Sequence, residues 1–404
     1  MKNLVSLLFA LSPILSIYAT GIPGISFADL FILGVGTVSV VKKKYCTPYF
    51  VSYIIYTVFI TFLSYLLGYN EFDISSRTLI SFLMFFYMFN ATPYIGDFKL
   101  VMKCLFSIGN ICCTFFIFQY LVLLVSGFVI PGILSFFPLA NEVNTDEFLV
   151  NVSNRDRLSS LFTEPAHFCE FLIIVLSIRL FVNNHNKKNI ILAIIYTVCI
   201  YLSKSAIGFA SSICIWGLWI IKYTQLWEKH KISFIALAVF LVFATIPLLS
   251  DVGEESIINR FTQISFTPEV SSYGFSSYIR VLRGYIPFIE SDLLIKLFGS
   301  GVGSIYTFIK NNPNTDFLFY VDYLIDYLNS VQYVLFYSGI VGFLLLLKQF
   351  RILYIKTSKV GQVLLLVSLL QMFAAGYLFS MNFVIVIYVV INSIRYDINN
   401  YSNL

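Results

Sequence analysis

What this sequence has least of is charge. Asp, Glu, Lys and Arg together make up 12% of its 404 residues, and histidine occurs three times. A soluble domain carries roughly 25% charged residues and enough polar surface to cover its core, so a water-soluble enzyme is excluded. Strands of alternating polarity, which a membrane barrel needs, are also missing. The apolar segments are apolar on all sides over about 17–20 residues and read as helices. The cysteines Cys46, Cys104, Cys112, Cys113, Cys169, Cys199 and Cys214 show no ligand spacing, and all but Cys46 lie in apolar stretches. Neither a disulfide framework nor a zinc site is supported. With no Asp-x-Asp pair in the outer loops and no histidine cluster, neither a bound metal nor a cofactor is expected. The run Gly299-Ser-Gly301-Val-Gly303 has no strand before it and no Lys-Ser/Thr after it. It reads as a sharp turn between loop helices and not as a nucleotide loop. The net charge of +5 is spread in small clusters, which excludes a nucleic-acid surface. There is no repeat, low-complexity stretch or appended soluble domain. A cleavage site is missing after Leu4–Ala19, so an uncleaved first helix is expected.

What is there is lipid-compatible sequence. Hydrophobic residues reach 58%, and the mean hydropathy is +0.85. In lipid every backbone polar group must be paired within the protein, which leaves helices as the spanning element. About twelve candidate spans can be drawn: 4–20, 25–41, 50–68, 78–95, 104–130, 168–183, 189–203, 206–221, 232–250, 331–347, 360–378 and 380–394. Asn90 and Pro93 interrupt the fourth, and a tight turn around Phe379 joins the last two. Alternate loops then carry Lys42-Lys43-Lys44; Lys99 and Lys103; Lys187-Lys188; Lys222, Lys229 and Lys231; and Lys348, Arg351, Lys356 and Lys359. All fall on one side, which the positive-inside rule makes cytoplasmic, with both termini. Trp216, Trp219 and Trp227 sit at one such boundary, as an aromatic belt predicts. The expected fold is an all-α polytopic membrane protein, a single integral membrane domain over 1–404. Its two large outer loops are 131–167 and 251–330.

The outer loops hold arginines where basic residues should be depleted. The first constellation runs from Arg155 and Arg157 to Glu164, Pro165, His167 and Glu170. Pro165 suits the first turn of a helix. Glu164, His167 and Glu170 are three apart and are expected to share a face near its outer end. Glu170 lies in an apolar run, where an ionisable group points to a cavity-facing site. The bland alternative is capping by Glu164 with an ion pair to Arg157. The second constellation is Ser203-Lys204-Ser205, in a linker so short that Lys204 must sit at the outer surface. It could equally be a snorkelling lysine capping a hairpin. The third is Arg260, Arg280 and Arg283 in the long loop. Arg280 and Arg283 are three apart and suit bidentate capture of a pyrophosphate; headgroup anchoring is the alternative.

The stretch Arg157-Leu-Ser-Ser-Leu-Phe-Thr-Glu164-Pro165 is similar to the Arg-x-x-Gly-x-Phe-x-Glu-Pro stretch of bacterial O-antigen polymerases (Wzy type). The hairpin Ser203-Lys-Ser-Ala-Ile-Gly208 resembles their Ser-x-Ser/Thr-x-x-Gly segment. The outer arginines, Phe298-Gly-Ser-Gly-Val-Gly303 and Tyr337-Ser-Gly339-Ile-Val-Gly342-Phe follow in matching order. The similarity covers residues 155–345, and Ser160 departs from it where many members have Gly. The resemblance implies a GT-C-like fold in the bacterial inner membrane with its site facing the periplasm. It implies a metal-independent, inverting glycosyltransferase that elongates surface polysaccharide. The substrate would be an undecaprenyl-pyrophosphate-linked oligosaccharide, with a chain-length regulator protein and membrane lipid as partners. Arg157, Arg260, Arg280 and Arg283 would neutralise the departing pyrophosphate. Glu164 or His167 would take the acceptor proton, with Lys204 and Glu170 contacting substrate. An O-antigen ligase shares this chemistry, but the Glu-Pro after Arg157 favours the polymerase. A repeat-unit flippase is the transporter alternative, although its charges would lie within helices and not in large loops.

Overall fold

The computed structural model describes residues 2–22, 24–43, 49–134, 136–140, 157–182, 187–223, 283–311 and 328–395. Among these residues the architecture is all-helical. The extended pairing there consists of two isolated bridges, Tyr18 with Leu139 and Ala19 with Ser26. The N-terminal part contains α1 (Lys2–Ala10), α2 (Ser12–Leu15), α3 (Phe27–Lys43), α4 (Val51–Leu66), α5 (Phe72–Ala91) and α6 (Phe98–Ser126). Then come α7 (Pro165–Val182), α8 (Lys187–Leu202) and α9 (Ala206–Tyr223). Three short helices follow, α10 (Ile286–Glu290), α11 (Leu293–Phe298) and α12 (Ser304–Asn311). The last three are α13 (Ser330–Lys356), α14 (Lys359–Met372) and α15 (Met381–Arg395).

α6, α7 and α13 are long and apolar enough to cross a membrane; α4, α8, α9, α14 and α15 are shorter apolar helices. The surface agrees with a lipid solvent. On α4, Ile55, Phe59, Phe62 and Leu66 are all exposed at helical spacing. Such a stripe would be an aggregation hazard in water and is ordinary in hydrocarbon. At the centre lies α7, which touches α6, α8, α9, α14 and α15. Of its 18 residues all but Ala166 and His167 are buried. α15 is buried from Met381 to Ser393. A helix apolar all round belongs in such an interior.

Several expected boundaries shift for identifiable reasons. The first span, 4–20, breaks into α1 and α2 at Pro13, which has no N–H to donate. Its end pairs instead with residues 136–140: Ala19 N donates to the Pro138 carbonyl at 2.8 Å and Ala140 N to that of Ile17 at 2.8 Å. The fourth span ends as a helix at Ala91 and tightens into a 3-10 turn, Thr92–Tyr94, at Pro93. α13 runs on to Lys356, carrying Lys348 and Arg351 on helix where a loop was expected. α14 stops at Met372, and the 3-10 turn Tyr377–Phe379 leads to α15, so the connection is longer than the expected tight turn. The ninth span, 232–250, lies outside the described residues.

Candidate functional site

Pro165 opens α7 as its position predicts, and Phe168 N donates to the Glu164 carbonyl at 3.2 Å. α6 and α7 run antiparallel: Phe116 stacks on Phe168 with centroids 5.0 Å apart, Gly109 backs onto Val175, and Arg179 lies over Phe106. That pairing brings the chain just before α7 against the middle of α6. Gln119 on α6 clamps it there. Its Oε1 accepts from Ser160 N at 2.9 Å, and its Nε2 donates to the Ser160 carbonyl at 3.3 Å and to that of Ile130 at 2.6 Å. Ser160 Oγ donates to the Cys112 carbonyl at 2.7 Å. Ser160 is left-handed, with φ +53°. A glycine would adopt that conformation freely. Ser compensates through its hydroxyl.

The hairpin between α8 and α9 closes the other side. Ser203 Oγ sits 3.0 Å from Cys169 Sγ and donates to the Ile200 carbonyl at 2.7 Å. Gly208 allows α9 to approach α7 closely, because a Cβ there would lie 2.7 Å from Cys169 Cβ. Between them Lys204 takes φ +57°. Its carbonyl accepts from Arg157 Nη2 at 3.3 Å. Two constellations separated by 47 residues thus meet in one place. Of three left-handed non-glycine residues among those described, Ser160 and Lys204 both lie here. Conformations of that kind are held by surrounding structure and gather at functional positions.

Arg157 is half-buried and Glu164 and His167 are exposed, with His167 Nδ1 3.4 Å from Thr163 Oγ1. Glu170 does not share their face. Each step of three residues falls about 60° short of a full turn, so two steps carry Glu170 into the bundle. There it is 3% exposed, and its Oε2 accepts from Asn382 Nδ2 of α15 at 3.0 Å. Sequence reasoning passed over Asn382, Gln119 and Cys169. The signal was available for the first two, as amides inside apolar spans.

In the second long polar segment, 251–330, Arg283 opens a 3-10 turn, Arg283–Tyr285; Arg260 and Arg280, like Arg155, lie outside the described residues. Burial pushes the neighbouring Tyr285 phenol up, and its bond to the Asn329 side chain pulls the other way. The glycine run does turn between two loop helices, α11 and α12, and it is also held from both sides. Ser300 N and Gly301 N donate to the carbonyls of Phe336 and Tyr337 at 3.0 and 2.9 Å. α13 breaks there, at Gly339 with φ +63° and ψ −171°. Side chains on Gly299 or Gly339 would strike the opposing backbone. From α4, the Thr61 hydroxyl accepts from Val302 N at 3.0 Å, and the Ser64 hydroxyl donates to the Ser300 carbonyl. Asn70 Nδ2 donates to the Val302 carbonyl at 3.0 Å. Irregular backbone beside apolar helices is tolerated when its polar groups are paired in this way.

Among the described residues no group of three or more His, Cys, Asp or Glu is arranged to hold a metal ion. No family model matches the chain, and no curated protein matches it.

Proposed function

We propose that this chain is an O-antigen polymerase of the inner bacterial membrane, a GT-C-like glycosyltransferase of about twelve spans with both termini cytoplasmic. The observation that supports it most is the Arg157–Lys204 contact. It joins two of the motifs that carry the resemblance, next to the Glu164-Pro165 helix start. The donor is the growing chain on undecaprenyl pyrophosphate. The acceptor hydroxyl oxygen attacks the anomeric carbon, and the bond from that carbon to the pyrophosphate oxygen breaks. The bond pair leaves with the pyrophosphate, and the hydroxyl proton passes to Glu164. Arg157, whose Nη2 donates to the Lys204 carbonyl, meets the pyrophosphate charge as it develops. Arg260, Arg280 and Arg283 supply further charge from the second loop. Glu170, buried against Asn382, positions α7 against α15 in this scheme and does not touch substrate.

The test is the lipopolysaccharide banding of a deletion strain. A single repeat unit on core supports polymerisation. Bare core overturns it in favour of a ligase or a flippase. Purified protein should also extend lipid-linked units in the presence of a chelator. Loss of activity that magnesium restores would overturn the metal-independent step.

A further inference from the structure

Arg179 lies in the last turn of α7, at the end of the α6–α8 unit remote from Arg157, and is 6% exposed. Its described partners are all neutral. Nη1 donates to Asn189 Oδ1 at 2.9 Å, and the guanidinium carbon lies 4.2 Å from the Phe106 ring centroid and 5.6 Å from that of Tyr196. Nε has no hydrogen-bond partner among the described residues. A guanidinium keeps its proton under all ordinary conditions, so this is a permanent positive charge in a dry place. Buried charges of that kind are tolerated when an anion answers them.

The surroundings say which anion. Lys103, exposed, is one turn from Phe106 on the same face of α6. Lys188, also exposed, precedes Asn189 in the opening turn of α8, whose N–H groups favour negative charge. From that turn an exposed apolar stripe, Ile191, Ile194 and Val198, runs down α8. A phosphate at the top of an apolar stripe open to lipid is a phospholipid headgroup. We propose that the ends of α6, α7 and α8 bind the phosphate of an anionic phospholipid. Arg179 holds the phosphate, and Lys103 and Lys188 form the rim. The assignment to the cytoplasmic leaflet rests on the topology proposed above; the site itself rests only on this geometry.

The experiment uses full-length protein in nanodiscs of phosphatidylglycerol mixed with phosphatidylcholine, and native mass spectrometry of the lipid retained on release. The wild type should retain phosphatidylglycerol preferentially. R179Q should lower that retention roughly five- to tenfold, the scale of one basic group at a lipid surface. R179K, which keeps charge without the fork, should fall between. Equal retention of the two lipids, or wild-type retention by R179Q, would overturn the proposal. Inorganic phosphate alone, if it displaces the lipid at millimolar concentration, would overturn the lipid assignment in favour of a free-anion site. Should R179Q fail to fold, the double variant K103Q/K188Q must lower retention, and unchanged retention overturns the site. No step reads polymer synthesis, so a failure here and a failure of the proposed activity are separable.

Discussion

α6 and α7 are both apolar enough to cross a membrane, yet 33% of the apolar window of α6 and 89% of that of α7 lie inside the protein. Hydropathy does not separate them, because lipid is as apolar as leucine and does not drive one face inward. What separates them is the placing of small and polar groups. α6 turns Gly109, Cys112, Cys113 and Gln119 inward and leaves Ile111, Leu121, Leu124 and Val125 outside. α7 has partners on every side: Cys169 faces the α8–α9 hairpin, Glu170 faces α15, and Arg179 faces α6 and α8. In both helices large apolar side chains fill the interior, and the amides, thiols and glycines among them mark which face turns inward.

If α7 is the axis on which the site is built, substitutions at its entrance should have the largest effect. Arg157→Ala should abolish chain elongation while the protein is still inserted, read as polymer length against protein level in the membrane. Long-chain polymer from this variant would remove Arg157 from the site. Next, Glu164→Gln should slow transfer on the order of 10²-fold, the usual scale for a lost general base, and His167→Ala clearly less. A normal rate for the glutamine variant beside a dead His167 variant would reverse the two roles.

The remaining predictions concern packing, measured as thermal or denaturant stability in detergent. Leu172→Ala, at a fully buried position of α7, should destabilise by about 2–5 kcal/mol. Glu170→Ala leaves the Asn382 amide without its acceptor inside the bundle and should destabilise by about 1–3 kcal/mol. Leu121→Ala on the outer face of α6 should change stability by less than about 0.5 kcal/mol. Equal effects at Leu172 and Leu121 would break the contrast between the two helices.

Much of this was legible beforehand, unevenly. Long apolar runs located most helices within a few residues, and Pro165 marked the start of α7 because its ring fits only a first turn. The ends were harder. Lys348 and Arg351 look like loop residues, but the helix continues to Lys356 and takes them along. The Arg157 and Ser203-Lys204-Ser205 segments were each visible as candidates. Their meeting was not, because it depends on the antiparallel register of α6 and α7 and on the approach that Gly208 permits. The inward turn of Glu170 was legible in principle from helix geometry, since a spacing of three drifts around the axis. The docking of the glycine run on α4 left no mark in its own sequence; Thr61, Ser64 and Asn70 were the only trace.

That docking sets a timetable for biogenesis. Ser64 and its partner Ser300 are 236 residues apart. At a synthesis rate of about 5–20 residues per second, α4 is made on the order of 10–50 s before its partner segment exists. During that interval Thr61 keeps only its bond to the Thr57 carbonyl, the Ser64 hydroxyl and the Asn70 amide lack the carbonyls they later bind, and the slot where the glycine run docks stands empty. A chain interrupted before Gly299 would leave the slot unfilled. It would present membrane quality control with a polar stripe in place of a closed surface.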